Sequence, residues 1–513
     1  MPSDSGASSS CWMEVEPSNY PALTEDCKTD VCVVGAGIAG LSVAYHLVRA
    51  GKRVVVVDDG PVGSGETGRT TSHLTNAFDD RYHVVEKLHG KEISRLVAQS
   101  HTAAIDLIES IARNEGIECD FRRVDGFLYA PPEASQPELA KELEAVHRAG
   151  LTQVERVDAP PGTLRPLGPA LRFPRQGQIH PLAYLNGLAR AIVDHGGRIH
   201  CATRVHQVED GNPTRVKTAN GHTINATATV IATNTPINNR VIIHTKQAPY
   251  RTFVIGLRVV KGSVPWAQWW DTLHPYHYVR IARELDERHD LLIVGGEDHK
   301  TGQEDDSEAR FDRLASWARA YFPVIGEPEN RWSGQVMQPV DSLAFIGRNP
   351  GDNHLFIVTG DSGNGITHGT IAGPLLTDLI LDRENPWAKV YSPSRKSLKA
   401  AGGFAKENAN VAAQYAAWIT PGDVRKIAEI APGEGAVIRH HLHKIAVYRD
   451  AQGKTCAFDA TCPHLGCIVE WNSAEKSWDC PCHGSRFDPQ GLVVNGPAVS
   501  RLVPAEIPAS ALR

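Results

Sequence analysis

Asp30-Val-Cys-Val-Val-Gly35-Ala-Gly37-Ile-Ala-Gly40 is the stretch on which the fold turns. A β-branched run enters three glycines spaced G-x-G-x-x-G, and an apolar helical pattern follows to residue 50. Gly51-Lys-Arg then turns the chain into Val54-Val-Val-Val57, which ends on Asp58 and Asp59. This reads as strand, glycine turn, helix and strand, with an acid at the tip of the second strand. Gly35 permits the tight turn, Gly37 lets backbone approach a pyrophosphate, and Gly40 lets the helix pack on the strand. The helix N-terminus offers unpaired N–H groups and the positive end of its dipole to phosphate. Asp58, about 20 residues beyond the glycines, is placed to accept from a ribose hydroxyl. A lone glycine turn is common. The strand, helix and acid around this one make it a dinucleotide-binding signature.

The remaining composition narrows the class. A chain of 513 residues has room for several domains at roughly 150 residues each. Lys and Arg number 53 against 59 Asp and Glu, a formal charge of −6, so no basic face for nucleic acid is expected. Charged residues at 22% and apolar residues at 41% are ordinary for a globular protein. Residues 1–29 have no basic start, apolar core or twin arginine and are expected to form a disordered polar tail rather than a signal peptide. The longest apolar stretch, 31–48, is broken by three glycines, which argues against a membrane span. A cytoplasmic protein is expected. Five of the ten cysteines crowd into residues 456–482, a pattern of metal binding more than of a disulfide scaffold.

Strands are expected at 198–208, 229–233, 341–347 and 355–359. The last leads through Gly360-Asp-Ser-Gly363-Asn-Gly365 into an apolar helix, 366–381. That turn is a second anion or carbonyl cradle. Between these pieces, residues 76–175 and 236–340 are more irregular and rich in Tyr, Trp, His and Arg. Residues 30–385 resemble the flavoprotein family of D-amino acid oxidase, glycine oxidase and sarcosine oxidase. The resemblance rests on the Gly35 turn, Gly65-Glu-Thr-Gly68-Arg69-Thr70-Thr71, Ala232-Thr-Asn-Thr-Pro236 and the Gly360 turn. It implies an α/β FAD-binding Rossmann-like domain (about 30–75, 176–235 and 341–385) with an interleaved α+β substrate domain (about 76–175 and 236–340). Gly35, Gly37, Gly40 and Asp58 would then hold the pyrophosphate and ribose of FAD, and Val205 would touch the adenine. Gly68, Arg69, Thr70 and Thr71 would line the flavin. Gly360, Asp361, Gly365, Ile366 and Thr367 would bring a helix N-terminus to the flavin's N1–C2 carbonyl, favouring the anionic reduced ring. Some dimethylglycine-oxidising relatives attach FAD through a histidine at the place of His73; noncovalent FAD with His73 beside it is the expectation here.

A second motif lies beyond a connector, 386–420. Cys462-Pro-His464-Leu-Gly-Cys467 is followed by Cys480-Pro-Cys482-His483-Gly-Ser485. Zinc suits two Cys and two His, but zinc fingers of that composition pair like with like, whereas each arm here carries one Cys and one His. The arrangement resembles the Rieske [2Fe–2S] module, with residues 421–513 forming an all-β domain. By that resemblance Cys462 and Cys480 ligate one iron, His464 and His483 the other, and Cys467 and Cys482 form a disulfide between the loops. Gly496-Pro-Ala498 resembles the third loop over the cluster. Phe487 stands where high-potential members carry a tyrosine that bonds a ligand sulfur, so a potential below the top of the about −150 to +300 mV Rieske range is expected.

Other histidines read as structural. Asp80, His83 and His89 do not make an iron site, because His83 and His89 lie about 120° apart on a helix. His440, His441 and His443 precede a strand. The expected activity is oxidation of a small amine or amino acid, with electrons passing from FAD to the cluster and on to an unknown acceptor. Tyr250, Arg251 and His277, with Tyr276 and Tyr278 nearby, are the substrate-site candidates, since an arginine and phenols suit a carboxylate. Two alternatives stand beside this: an O2-using amine oxidase with a structural or regulatory Rieske module, and a redox sensor or electron carrier for a partner oxygenase.

Overall fold

The computed structural model describes residues 5–131, 136–238, 243–396, 398–441, 443–507 and 511. The glycine-turn unit forms the middle of the first sheet. Strand Cys27–Val34 runs parallel to Val54–Val57 on one side and to Thr223–Ile231 on the other. Val54–Val57 is buried throughout, as a strand covered on both faces requires. Arg198–His200 extends the sheet beyond it. On the other flank stand Leu355–Thr359 and, antiparallel to it, Phe345–Arg348. The stretch read as one strand over 198–208 is two. The chain breaks near Ala202, in the left-handed region at φ 47°, where Thr203 donates its N–H to the Asp58 carbonyl at 2.7 Å. Val205–Glu209 then pairs with Thr214–Thr218. Helices Ile38–Arg49 and Gly365–Ile380 cover this sheet.

The intervening residues build a second sheet of nine strands. Its long strand Gln247–Val260 lies antiparallel between His289–Lys300 and Val324–Pro339. His277–Glu284, Ala267–Asp271 and Arg122–Tyr129 continue it. After helices Ala388–Tyr391 and Ala401–Gln414, the chain enters two small antiparallel sheets. Glu434–His440, His443–Arg449 and Thr455–Asp459 make one. Glu470–Asn472, Ser477–Asp479, Arg486–Phe487 and Val493–Asn495 make the other. Among the described residues no helix is long and apolar enough to cross a membrane.

The amino-terminal segment departs from the expected disordered tail. From residue 5 onward it is threaded between the domains, and Cys11 and Trp12 are fully buried. The Trp12 indole N–H donates to the Thr70 carbonyl at 2.6 Å, and Ser10 Oγ donates to the Gly68 carbonyl at 2.5 Å. A polar composition concealed a segment whose backbone and short hydroxyls serve as hydrogen-bond partners.

The same segment meets a buried charge cluster where the carboxy-terminal domain sits on the rest. Glu475 lies 3.0 Å from Arg69 and 3.2 Å from Arg251, all three side chains being fully buried. Ser8 N–H donates to Glu475 at 3.2 Å, and the Ser333 hydroxyl also donates to it. Burial alone would raise the Glu475 pKa, but Arg69, Arg251 and Arg486 pull it down to about 2. We expect Glu475→Ala to destabilise the protein by about 3–5 kcal/mol, because it leaves guanidinium groups buried without their partner. The depressed pKa contributes stability that is complete above the ordinary value of 4.5 and is lost as pH falls from there toward about 2. Urea unfolding as a function of pH should show that component in the wild type and not in the variant.

Candidate active site and cluster-binding loops

A continuous cavity joins the two glycine turns. Gly35, Gly37, Asp58 and Val205 line one end of it. Gly35 has φ +113°, and a Cβ there would sit 2.4 Å from the Ala232 carbonyl oxygen, so only glycine fits the turn. Asp58 braces that turn from the next strand, accepting from Ala36 N–H at 2.5 Å and Gly60 N–H at 2.9 Å. Helix Ile38–Arg49 and helix Gly365–Ile380 both bring residues of their first turn, Ile38 and Ile366, to the cavity wall. Arg69, Thr70, Thr71, His73, Gly360, Asp361 and Gly365 line it as well. Gly40, Gly68 and Thr367 lie behind the wall. A Cβ on Gly40 would come within 1.8 Å of the Gly35 carbonyl oxygen, so this glycine serves helix-on-strand packing.

The far end of the cavity is aromatic and acidic. Trp270, Tyr276, Tyr278, Thr252 and Asp79 line it. The Tyr276 hydroxyl donates to Asp79 Oδ2 at 3.3 Å, and Tyr278 Oη lies 2.7 Å from Thr252 Oγ1. His73 is held between the Thr71 hydroxyl at 3.1 Å and the Val279 carbonyl at 3.3 Å. Burial pushes its pKa down to about 3, with the Arg280 charge adding to the effect.

The candidates Tyr250, Arg251 and His277 do not reach this end. On strand His277–Glu284, Tyr278 faces the cavity and its neighbour faces away. His277 stacks on Trp317 at 4.4 Å and bonds Asp271 at 2.8 Å. Arg251 belongs to the Glu475 cluster. Tyr250 lies outside the cavity wall with Lys300 Nζ 5.9 Å over its ring. The residues that sequence reading passed over are Asp79, Thr252 and Trp270. Trp270 stands opposite Tyr278 in the strand register, a pairing no local pattern announces. Of the group set aside as an iron site, His83 bonds Glu142 at 2.7 Å and His89 the Asp341 carbonyl at 2.8 Å.

Two loops of the carboxy-terminal domain bring Cys462, His464, Cys480 and His483 together. Each is closed by its own backbone: Cys462 N–H donates to the Cys467 carbonyl at 2.8 Å, and Cys480 N–H to the Ser485 carbonyl at 2.8 Å. The rings of His464 and His483 have centroids 5.0 Å apart. Cys467 and Cys482 are joined by a disulfide with Cα atoms 6.4 Å apart. Cys462, Cys480 and His483 are buried. The buried Nδ1 of His483 has no hydrogen-bond partner among the described residues, which fits an atom meant for a metal. Thiolates and imidazoles are the donor set of a cluster bound by Cys and His.

These loops adjoin the cavity. Gln335 lines the cavity, and its side-chain N–H donates to the carbonyl of Gly484 at 3.0 Å, next to His483. Asn495, Gly496 and Ala498 of the third loop also form cavity wall. On the same face, His244 packs edge-on to His464 with ring centroids 5.0 Å apart.

Comparison with known proteins agrees with this architecture. Residues 30–379 match the FAD dependent oxidoreductase family model, and residues 420–506 match the Rieske [2Fe-2S] domain model. A putative Rieske 2Fe-2S iron-sulfur protein, YhfW of Bacillus subtilis (strain 168), is 32% identical over 94% of this chain and 94% of its own length. Gamma-glutamylputrescine oxidoreductase of Escherichia coli (strain K12) is 28% identical over 70% of this chain and 85% of its own. Glycine oxidase from Geobacillus kaustophilus superposes with a TM-score of 0.61 at 21% identity, covering 72% of this chain and 99% of that one. The chain belongs to the FAD dependent oxidoreductase family and carries a carboxy-terminal Rieske [2Fe-2S] domain.

Proposed function

We propose that this FAD-dependent oxidoreductase oxidises a small amine or amino acid at the aromatic end of the cavity and passes the electrons to its own [2Fe–2S] cluster. What supports the transfer is one contact: the loop bearing His483 bonds, through the Gly484 carbonyl, to Gln335 in the cavity wall. Cofactors carry the hard chemistry; the flavin supplies two-electron acceptance from a C–H bond beside nitrogen, and the protein supplies position and electrostatics. Asp58 and the Gly35 turn would hold the ribose and pyrophosphate, and Val205 the adenine. The first turn of helix Gly365–Ile380 would present its N–H groups to the flavin ring, stabilising negative charge there. Cys462 and Cys480 would ligate one iron, and His464 and His483 the other. His73, neutral and held on both nitrogens, would orient the flavin edge. Neighbouring Thr70 and Thr71 would close that edge against water. The electron acceptor lies outside the chain. A cytoplasmic setting is part of the same reading.

Purified protein is expected to hold one FAD and two irons with two acid-labile sulfides per chain, and its reduced EPR spectrum should show the low average g of His-ligated clusters. Cys462→Ser should abolish that signal while the flavin absorbance persists; zinc in place of iron would overturn the assignment. Anaerobic photoreduction tests the transfer itself. Electrons should appear on the cluster as the flavin bleaches, and Gln335→Leu should slow that appearance without changing how fast substrate bleaches the flavin. A fully reduced flavin beside a persistently oxidised cluster would instead favour the O2-using oxidase.

A further inference from the structure

The aromatic end of the cavity holds acids, phenols and neutral imidazoles, and it is short of cations. The lining of the whole cavity includes two arginines, Arg69 and Arg204, and no lysine among the described residues. Arg69 directs its guanidinium to Glu475 and to the carbonyls of Gly6, Ser8 and Ser333. Arg204 donates to the Val493 carbonyl at 2.9 Å, at the Asp58 end. His73 is kept neutral by burial and by the Arg280 charge. His368, also in the wall, is held well below its ordinary pKa by burial and by His101. Arg81, the cation nearest in charge to Asp79, points its terminal nitrogens at the backbone carbonyls of Asp79 and Asp271.

Asp79 therefore faces the cavity as an acid whose side chain has a phenol, Tyr276, for its hydrogen-bond partner. Burial raises its pKa, with Arg81 and Tyr276 opposing. A second acid, Asp298, lies near Tyr276 and Tyr278; burial pushes its pKa up to about 7, with the Thr252 hydroxyl opposing. Its Oδ1 is buried and accepts no hydrogen bond among the described residues. Trp270 stands opposite Tyr278 in the strand register, and the Tyr278 ring is 5.5 Å from that of Tyr276. Aromatic faces beside a carboxylate attract a cation twice over, through the ring quadrupole and through direct charge. A carboxylate arriving in the same space meets a like charge, while the neighbouring Arg81 guanidinium is already engaged with backbone carbonyls, which is rejection built into the pocket.

We propose that this pocket selects a cationic amine that lacks an α-carboxylate, its ammonium received by Asp79 and the rings of Trp270, Tyr276 and Tyr278. The inference rests on the reading of this end of the cavity as the substrate site, and it narrows that reading from amine or amino acid to amine. The test needs no turnover. The oxidised holoprotein, kept anaerobic, is titrated with n-butylamine, benzylamine, L-alanine and benzoate, followed by calorimetry and by perturbation of the visible flavin spectrum. The two amines are expected to bind and perturb the flavin, and L-alanine and benzoate to bind at least about 10-fold more weakly or not at all. Asp79→Asn should weaken amine binding about 10-fold or more, as loss of a charge-assisted hydrogen bond predicts, with FAD and iron content unchanged. Tighter binding of benzoate or L-alanine than of the amines would overturn the proposal, and so would amine binding indifferent to Asp79→Asn. The wild-type panel decides the class by itself if that variant does not fold. An oxidase that never reduces its cluster would give the same isotherms, so a failure of the electron route and a failure of this inference are read separately.

Discussion

The Glu475 cluster is the constraint on which the architecture rests. Three guanidinium groups, Arg69, Arg251 and Arg486, are removed from water together with the carboxylates of Glu475 and Asp479, and the part-buried Glu66 stands 3.8 Å from Arg486. Removing such charges from water is expensive, and it is tolerable only when every one is matched. The matching here crosses all the parts of the molecule. Arg69 comes from the segment lining the flavin cavity, Arg251 from the long strand of the second sheet, and the other arginine and two of the acids from the carboxy-terminal domain. Separating the domains would strand charges on both surfaces, so the docked arrangement is the one in which the electrostatics balance.

On the proposed electron route that docking would have a chemical use. A two-electron flavin and a one-electron cluster can work in sequence only if the distance between them is held short, because transfer by tunnelling falls steeply with separation. Gln335 and the third loop put the cluster-binding loops against the cavity wall, and His244 covers the imidazole edge from the flavoprotein side. A domain that swings between partners would leave that edge open. Here it is packed inward, and the half-buried His464 loop, with Leu465 exposed, is the part of the cluster region that meets solvent.

What the sequence disclosed follows from how local each feature is. The Gly35 turn, the Gly360 turn and the two Cys–His arms are set by residues within a few positions of one another, and each could be read directly. Long-range matches could not. Arg251 looked like a carboxylate anchor because its type suits one; its actual partner, Glu475, is 224 positions away and carries no local signal. His277 and Tyr278 are neighbours on one strand, and choosing which faces the cavity requires knowing which face of the sheet is covered. Trp12 sits in a stretch of serines and acids whose composition suggests a mobile tail, yet its indole closes a hydrogen bond to Thr70 behind the cavity. A polar segment ordered entirely by partners elsewhere is indistinguishable, in sequence, from one without partners.

The cavity wall itself ties cofactor binding to domain docking. Ser5 from the amino-terminal segment, Gly35 and Thr70 from the flavoprotein domain, and Asn495 and Gly496 from the carboxy-terminal domain all face the same space. A molecule filling that space touches all three parts at once. Binding energy gained only in the docked state stabilises docking by mass action, in proportion to the logarithm of ligand concentration over its dissociation constant. Conversely, the buried Glu475 cluster holds the wall in place before the flavin arrives, which lowers the ordering cost of binding. The charge cluster and the cofactor therefore act on one equilibrium from opposite sides of Arg69, whose guanidinium is anchored on Glu475 while its residue forms part of the cavity lining.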